Sequence, residues 1–117
     1  MASVGIDIIE VERIRMAVTR WGNRFLERVY TAGELELCAA RPASLAARFA
    51  AKEAVMKALG AHELGWREIE VLRGPQGEPV LHLHGRARRR AQELGTSLAV
   101  SLSHCREYAI ASVVDQR

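Results

Sequence analysis

The stretch that most constrains this chain runs Ala47-Arg48-Phe49-Ala50-Ala51-Lys52-Glu53-Ala54-Val55-Met56-Lys57-Ala58-Leu59-Gly60. Ala, Leu, Met, Lys, Arg and Glu are all good helix formers, so it reads as a helix. Ser44, after Pro42, is placed to cap the start, and Gly60 suits the stop. At about 100° per residue, Ala47, Ala50, Ala51, Ala54 and Ala58 form one small-residue face. Leu45, Phe49 and Met56 form a second apolar strip. Little is left for water, so the helix is expected to be mostly buried. Yet it carries Arg48, Lys52, Glu53 and Lys57. Arg48 and Lys52 stand at i,i+4, where like charges repel, and Glu53 and Lys57 stand at i,i+4 in the favourable order.

Of the 17 basic residues in the chain, only Lys52 and Lys57 are lysine. A compact ammonium meets phosphate as a point charge, whereas a guanidinium presents a planar fork. Two readings stand side by side: an ordinary ion-paired helix, or an anion site with a carboxylate beside it.

Composition narrows the setting. With 117 residues, 49% hydrophobic and 26% charged, the chain is expected to form a single soluble domain spanning 1–117. No apolar run approaches the roughly 20 residues of a membrane span, so no membrane partner is expected. The N-terminus lacks a basic segment followed by an apolar one, so no signal peptide is expected. Cys38 and Cys105 fit neither a metal spacing nor a disulfide framework, which points to a reducing, cytoplasmic setting. A net charge of +3 favours an acidic partner. Nucleic acid is the first candidate on charge alone, and the run Arg86, Arg88, Arg89, Arg90 is its best signal. Only 5% of residues are aromatic, however, which weakens any base-stacking platform, and no helix-turn-helix or zinc module is evident. A solvated helix face accounts for that run.

Taken in order, Val4 to Ile9 reads as a buried strand with Val4, Ile6 and Ile8 on one face. Asp7 lies on the other face beside Gly5 and Ile9. A carboxylate there must be paired, used as a cap, or bound to a hard cation, with Gly5 leaving room for close approach. Glu10 to Phe25 reads as an amphipathic helix, open to a break near Gly22, with Ile14, Val18, Trp21 and Phe25 on one face. Arg13, Arg20 and Arg24 line up on another, as a solvated face or as a docking face for an acidic helix or phosphates. Thr31-Ala32-Gly33-Glu34 has capping-box spacing, which predicts a short helix to about Ala40. Trp66 to Leu72 and Val80 to His84 read as strands around the turn Gly74 to Pro79. Gly85 to Leu94 is a helix, and Leu98 to Ser103 and Tyr108 to Val114 are the last strands. His82 and His84 share a strand face without a third ligand for zinc nearby. His104 stands at a strand end, as a site residue or a surface histidine.

Several of these stretches together resemble one family. Gly5-Ile6-Asp7-Ile8, Arg13, Arg48-Phe49-Ala50-Ala51-Lys52-Glu53-Ala54 and Lys57-Ala58-Leu59-Gly60 look like the phosphopantetheinyl transferases, in particular the short holo-acyl-carrier-protein synthases. The likeness continues through Trp66 to Val71, Gly77-Glu78-Pro79, and Val100 to His104 with Tyr108-Ala109, and so covers nearly the whole chain. Ala61 to Gly65 is a shorter loop than usual, and Glu78 stands where Lys is common.

The resemblance implies a fold and an activity. The fold would be α+β, antiparallel hairpin strands packed on the long central helix, assembled as a homotrimer with sites between subunits. The activity would be Mg2+-dependent transfer of the 4′-phosphopantetheine arm of coenzyme A to a serine of apo-acyl carrier protein, releasing adenosine 3′,5′-bisphosphate. Asp7 and Glu53 would hold the metal, consistent with magnesium's preference for one or two carboxylates plus substrate phosphate and water. Asp7, Glu53 and Lys57 would be the catalytic group, Lys57 neutralising the pyrophosphate and Glu53 deprotonating the serine, directly or through a metal-bound water. Arg48, Lys52, Lys57, Ser103 and His104 would bind coenzyme A. Arg13, Arg20 and Arg24 would face the acidic carrier protein. The competing class is a non-catalytic nucleotide- or nucleic-acid-binding basic module, which would not need Asp7 and Glu53.

Overall fold

Gly5 decides how the first strand packs. A methyl group at this position would overlap the carbonyl oxygen of Ala54, so the absent side chain lets strand β1 (Val4–Glu10) lie directly on the backbone of helix α4 (Pro42–Leu59). The room expected at Gly5 for a cation is therefore filled by the helix. The small face of α4 makes this approach possible: Ala46, Ala50, Ala51 and Ala54 are fully buried.

The computed structural model describes residues 3–116. Met1, Ala2 and Arg117, which complete the expected 1–117 domain, lie outside the described residues. After β1 come α1 (Val11–Trp21), α2 (Asn23–Val29), α3 (Ala32–Cys38) and α4, then a single 3-10 turn at Trp66–Glu68. Strands β2 (Ile69–Arg73) and β3 (Pro79–Leu83), helix α5 (Gly85–Leu94), and strands β4 (Leu98–His104) and β5 (Tyr108–Asp115) complete the chain. The strands form two antiparallel groups, a three-stranded sheet in the order β1-β5-β4 and the β2-β3 hairpin. This is the α+β arrangement expected, with α4 at its centre.

The register sets the two faces of the larger sheet. Gly5, Asp7 and Ile9 pair with Val113, Ala111 and Ala109, and this row faces α4. Ala109, Ala111 and Val113 are fully buried beneath the helix. Val4, Ile6 and Ile8 point the other way and are 65%, 56% and 59% exposed. The buried-strand reading of β1 was thus right for one face only. Alternation shows that the faces differ, and it was the glycine that marked the inner one.

Three local expectations are also revised. Arg41, with extended backbone, is the residue at the N-cap of α4, and Pro42 occupies the first helical turn, so Ser44 lies inside the helix. Gly22, at φ 57°, divides the first helical region, leaving Arg13 and Arg20 on α1 and Arg24 on α2. The start of the predicted Trp66 strand is the 3-10 turn. The capping box at Thr31 forms as expected, with Glu34 N–H donating to Thr31 Oγ1 and Thr31 N–H donating to Glu34 Oε1. Gly60 ends α4 in the left-handed conformation.

Gly5→Ala is expected to destabilise the fold by about 3 kcal/mol, since the contact is backbone on backbone and neither side can rotate away. Urea unfolding of the purified variant measures this, and a loss below about 1 kcal/mol would show that β1 can lift off the helix cheaply.

Candidate active site

Two polar regions border α4, and one buried pair lies between them. The buried pair is Lys52 with Glu34, both side chains fully inaccessible. Lys52 Nζ donates to Glu34 Oε1 at 2.8 Å and to the backbone oxygens of Trp66 and Ile69, using all three of its protons. It also lies over the Tyr30 ring at 5.7 Å. Glu34 Oε2 accepts from Val71 N–H. Burial pulls the Lys52 ammonium below its ordinary pKa, and the Glu34 carboxylate works against that shift. With no free donor and no exposed surface, Lys52 is a structural residue. The expectation that it binds coenzyme A is corrected on that ground.

The first polar region lies between β1 and α4. Lys57 Nζ stands 3.2 Å from Asp7 Oδ1 and donates to the Ile6 backbone oxygen at 3.0 Å. The Lys57 side chain is 47% exposed and that of Asp7 20%, so the pair opens to solvent. Glu53, half-buried, lies one turn earlier than Lys57 on the same stripe of the helix. This brings a β1 carboxylate, an α4 carboxylate and an ammonium to one edge of the helix. Among the described residues no cluster of three or more His, Cys, Asp or Glu could enclose an ion. Two carboxylates fit magnesium, which takes its remaining ligands from water and substrate phosphate.

The second region is a cavity of about 230 Å³ between the start of α4, the β2-β3 hairpin and the end of β4. Arg48 and His104 both line it, together with Arg73. Arg48 is 6% exposed, and its Nε donates to the Val71 carbonyl at 3.0 Å. Arg48 and Glu53 are five residues apart, which places them about 140° apart around α4. Arg48 and Lys57, nine residues apart, are separated by roughly 14 Å along the helix axis. Ser103 is exposed and neighbours His104 on β4, so it lies on the opposite sheet face and does not join His104 at the cavity.

Arg13, Arg20 and Arg24 are all exposed, and none forms an ion pair with a described residue. They span two helices, so the single stripe read from a continuous helix is not what presents them. Arg20 lies over the Trp21 ring at 5.0 Å, and Arg24 lines a shallow cavity with Trp21, Phe25 and Arg28. Of the arginines on α5, Arg86 pairs with Glu68 and Arg90 Nε binds the Leu59 carbonyl, so part of that basic run serves the fold. His84 contacts Glu70 at 3.0 Å. Sequence reasoning missed Glu34, whose capping-box position explained it fully without the buried lysine, and Arg73, an isolated charge before a turn.

The chain is similar to known proteins over nearly its whole length. The family model of the 4′-phosphopantetheinyl transferase superfamily matches residues 3–113. A holo-[acyl-carrier-protein] synthase of Dehalococcoides mccartyi is 55% identical, with 99% of each chain covered. One from Herpetosiphon aurantiacus is 51% identical over 97% of this chain and 98% of its own. The crystal structure of Helicobacter pylori holo-[acyl-carrier-protein] synthase in complex with coenzyme A superposes with a TM-score of 0.86 at 35% identity, covering 97% of this chain and 99% of that one. The chain therefore belongs to the 4′-phosphopantetheinyl transferase superfamily, among its short holo-acyl-carrier-protein synthases.

Lys52→Met is expected to cost about 3–5 kcal/mol, because it leaves Glu34 buried and unpaired. Adding Glu34→Gln should recover part of that loss. Denaturant unfolding measures both, and weakened coenzyme A binding with unchanged stability would return Lys52 to the substrate site.

Proposed function

We propose that this chain transfers the 4′-phosphopantetheine arm of coenzyme A to a serine hydroxyl of apo-acyl carrier protein in the cytoplasm. The observation that carries the reading is the Asp7–Lys57 contact between β1 and α4, with Glu53 one turn away. Asp7 and Glu53 would hold Mg2+, which when bound supplies positive charge to the pyrophosphate. Lys57 stabilises the charge that develops there. Glu53 takes the serine proton. The serine oxygen forms a bond to the phosphorus bearing the pantetheine, and the bond from that phosphorus to the nucleotide side breaks, releasing adenosine 3′,5′-bisphosphate. Arg48 and His104 bind nucleotide phosphate in their cavity, and Arg13, Arg20 and Arg24 meet the acidic surface of the carrier protein.

The positions around α4 support a homotrimer with shared sites. The two regions lie on different sides of α4, with the body of the helix and its packed sheet between them. The cavity of one subunit placed beside the Asp7 edge of its neighbour closes one site, and a cyclic trimer repeats this three times. The exposed Val4, Ile6, Ile8 face supplies apolar surface for such an interface.

Incubating apo-carrier protein with coenzyme A, magnesium and this protein should add the mass of one phosphopantetheine arm, read by mass spectrometry. No mass gain would exclude the reading. Asp7→Asn should lose about 10²-fold or more of that activity and shift the magnesium requirement upward. Lys57→Arg should also be impaired, because a guanidinium is too bulky to act as the same point charge.

Val4→Glu combined with Ile8→Glu should leave a folded monomer in native mass spectrometry with transfer reduced at least tenfold, since charges on a buried interface face are costly. A fully active monomer would place the whole site in one subunit.

A further inference from the structure

Phe49 and Trp66 form a stacked aromatic pair beside α4, with ring centroids 4.8 Å apart and planes inclined by 26°. Both side chains are half-buried and pack against the main core. Phe49, Glu53 and Lys57 stand at successive four-residue steps on α4, so each lies about one turn further along and about 40° further round the helix. Glu53 is thus flanked by Lys57 and Asp7 on one side and by the Phe49 ring on the other.

Trp66 is held from both directions. It opens the 3-10 turn, and its carbonyl accepts from Lys52 Nζ at 3.0 Å and from Ile69 N–H. Gly65 N–H, just before it, donates to Glu68 Oε2 at 2.8 Å, and the same oxygen accepts from Arg86 Nη2 at 2.9 Å. The turn is therefore pinned to α4 and to α5. Lys52 lies on the far side of Phe49 from Glu53, so the indole meets Phe49 on the side away from β1.

A carboxylate that takes a proton from a serine hydroxyl can also take one from water. With water as the acceptor, its oxygen would bond to the phosphorus bearing the pantetheine, and the bond from that phosphorus to the nucleotide side would break. The products would be free 4′-phosphopantetheine and adenosine 3′,5′-bisphosphate. We propose that Trp66 is a positioning residue: acting through Phe49, it keeps the side of Glu53 away from Asp7 apolar and closed to water, so that serine is the acceptor. Two stacked rings offer water no hydrogen-bond partner on that side, and the anchored turn keeps the indole from swinging aside. This inference rests on the transferase reading above and adds to it how the acceptor is chosen.

The test measures two products, adenosine 3′,5′-bisphosphate and holo-carrier protein, in one reaction with coenzyme A, magnesium and an excess of apo-carrier protein. The wild type should release them in equal amounts. Trp66→Ala should raise the ratio of nucleotide to holo-carrier protein about twofold or more, slow transfer about tenfold, and leave the KM for coenzyme A within about twofold. Trp66→Phe, which keeps a ring on Phe49, should retain equal amounts. Trp66→Leu, which keeps apolar bulk without the stack, should raise the ratio as the alanine variant does, and it carries the test if the alanine variant does not fold. Equal products from the alanine and leucine variants, however slow their transfer, would make the stack a packing contact and overturn the proposal while wild-type transfer stands. Unequal products from Trp66→Phe would overturn it as well. Absence of holo-carrier protein from the wild-type reaction would remove the transferase reading and this one together.

Discussion

The ammonium of Lys52 is the point on which the architecture depends. It ties α4 to the capping box of α3 through Glu34, and to the entry of β2 through the Trp66 and Ile69 carbonyls. Glu34 in turn holds Val71 N–H. A buried ion pair seldom adds much net stability over a packed apolar pair, but breaking one side of it is expensive. Here all three ammonium protons and both carboxylate oxygens have partners, so the pair acts as a register pin. It sets the rotation of α4 about its axis. Glu53 is the next residue, and its direction is determined by that rotation.

That rotation separates two chemistries. Gly5 lets β1 approach the helix backbone, and Asp7, two residues on, reaches Lys57. On the opposite side Arg48 is held by the Val71 carbonyl, which places a cation beside the β2-β3 hairpin. The rest of α4 is apolar, with alanine, leucine, Phe49, Val55 and Met56, and it keeps the two regions apart. The helix interior is committed to the core, so on the trimer reading proposed above the two ends of the substrate are met by two copies of the chain.

Much of this was legible in the sequence, for physical reasons that differ by element. The capping box at Thr31 and the left-handed stop at Gly60 are local chemistry, and local chemistry carries over directly. Asp7 stood out because a carboxylate beside Gly5 and Ile9 on an inward strand face needs a reason to be there. Lys52 and Lys57 looked alike, five residues apart on one helix in an arginine-rich chain. What separates them is the position of Glu34, which lies 18 residues from Lys52 and meets it only through tertiary packing. Periodicity alone does not tell which side of β1 faces the core, since the wholly apolar row, Val4, Ile6 and Ile8, is the exposed one. The missing side chain of Gly5 decides it, because only that face can touch the helix backbone.

The exposed row of β1 is best understood together with the short length of the chain. A domain this small buries a limited share of its surface, and Val4, Ile6 and Ile8 would find no room beneath α4. Placing them on the outer sheet face is unfavourable for an isolated chain and favourable for one that assembles. The same strand carries Asp7 on its inner face, one residue from Ile6 and from Ile8. A displacement of the outer face would therefore be felt at the carboxylate one residue away. On the trimer reading proposed above, assembly and catalysis are coupled through a single strand, with one row of side chains turned to the neighbour and the other to the substrate.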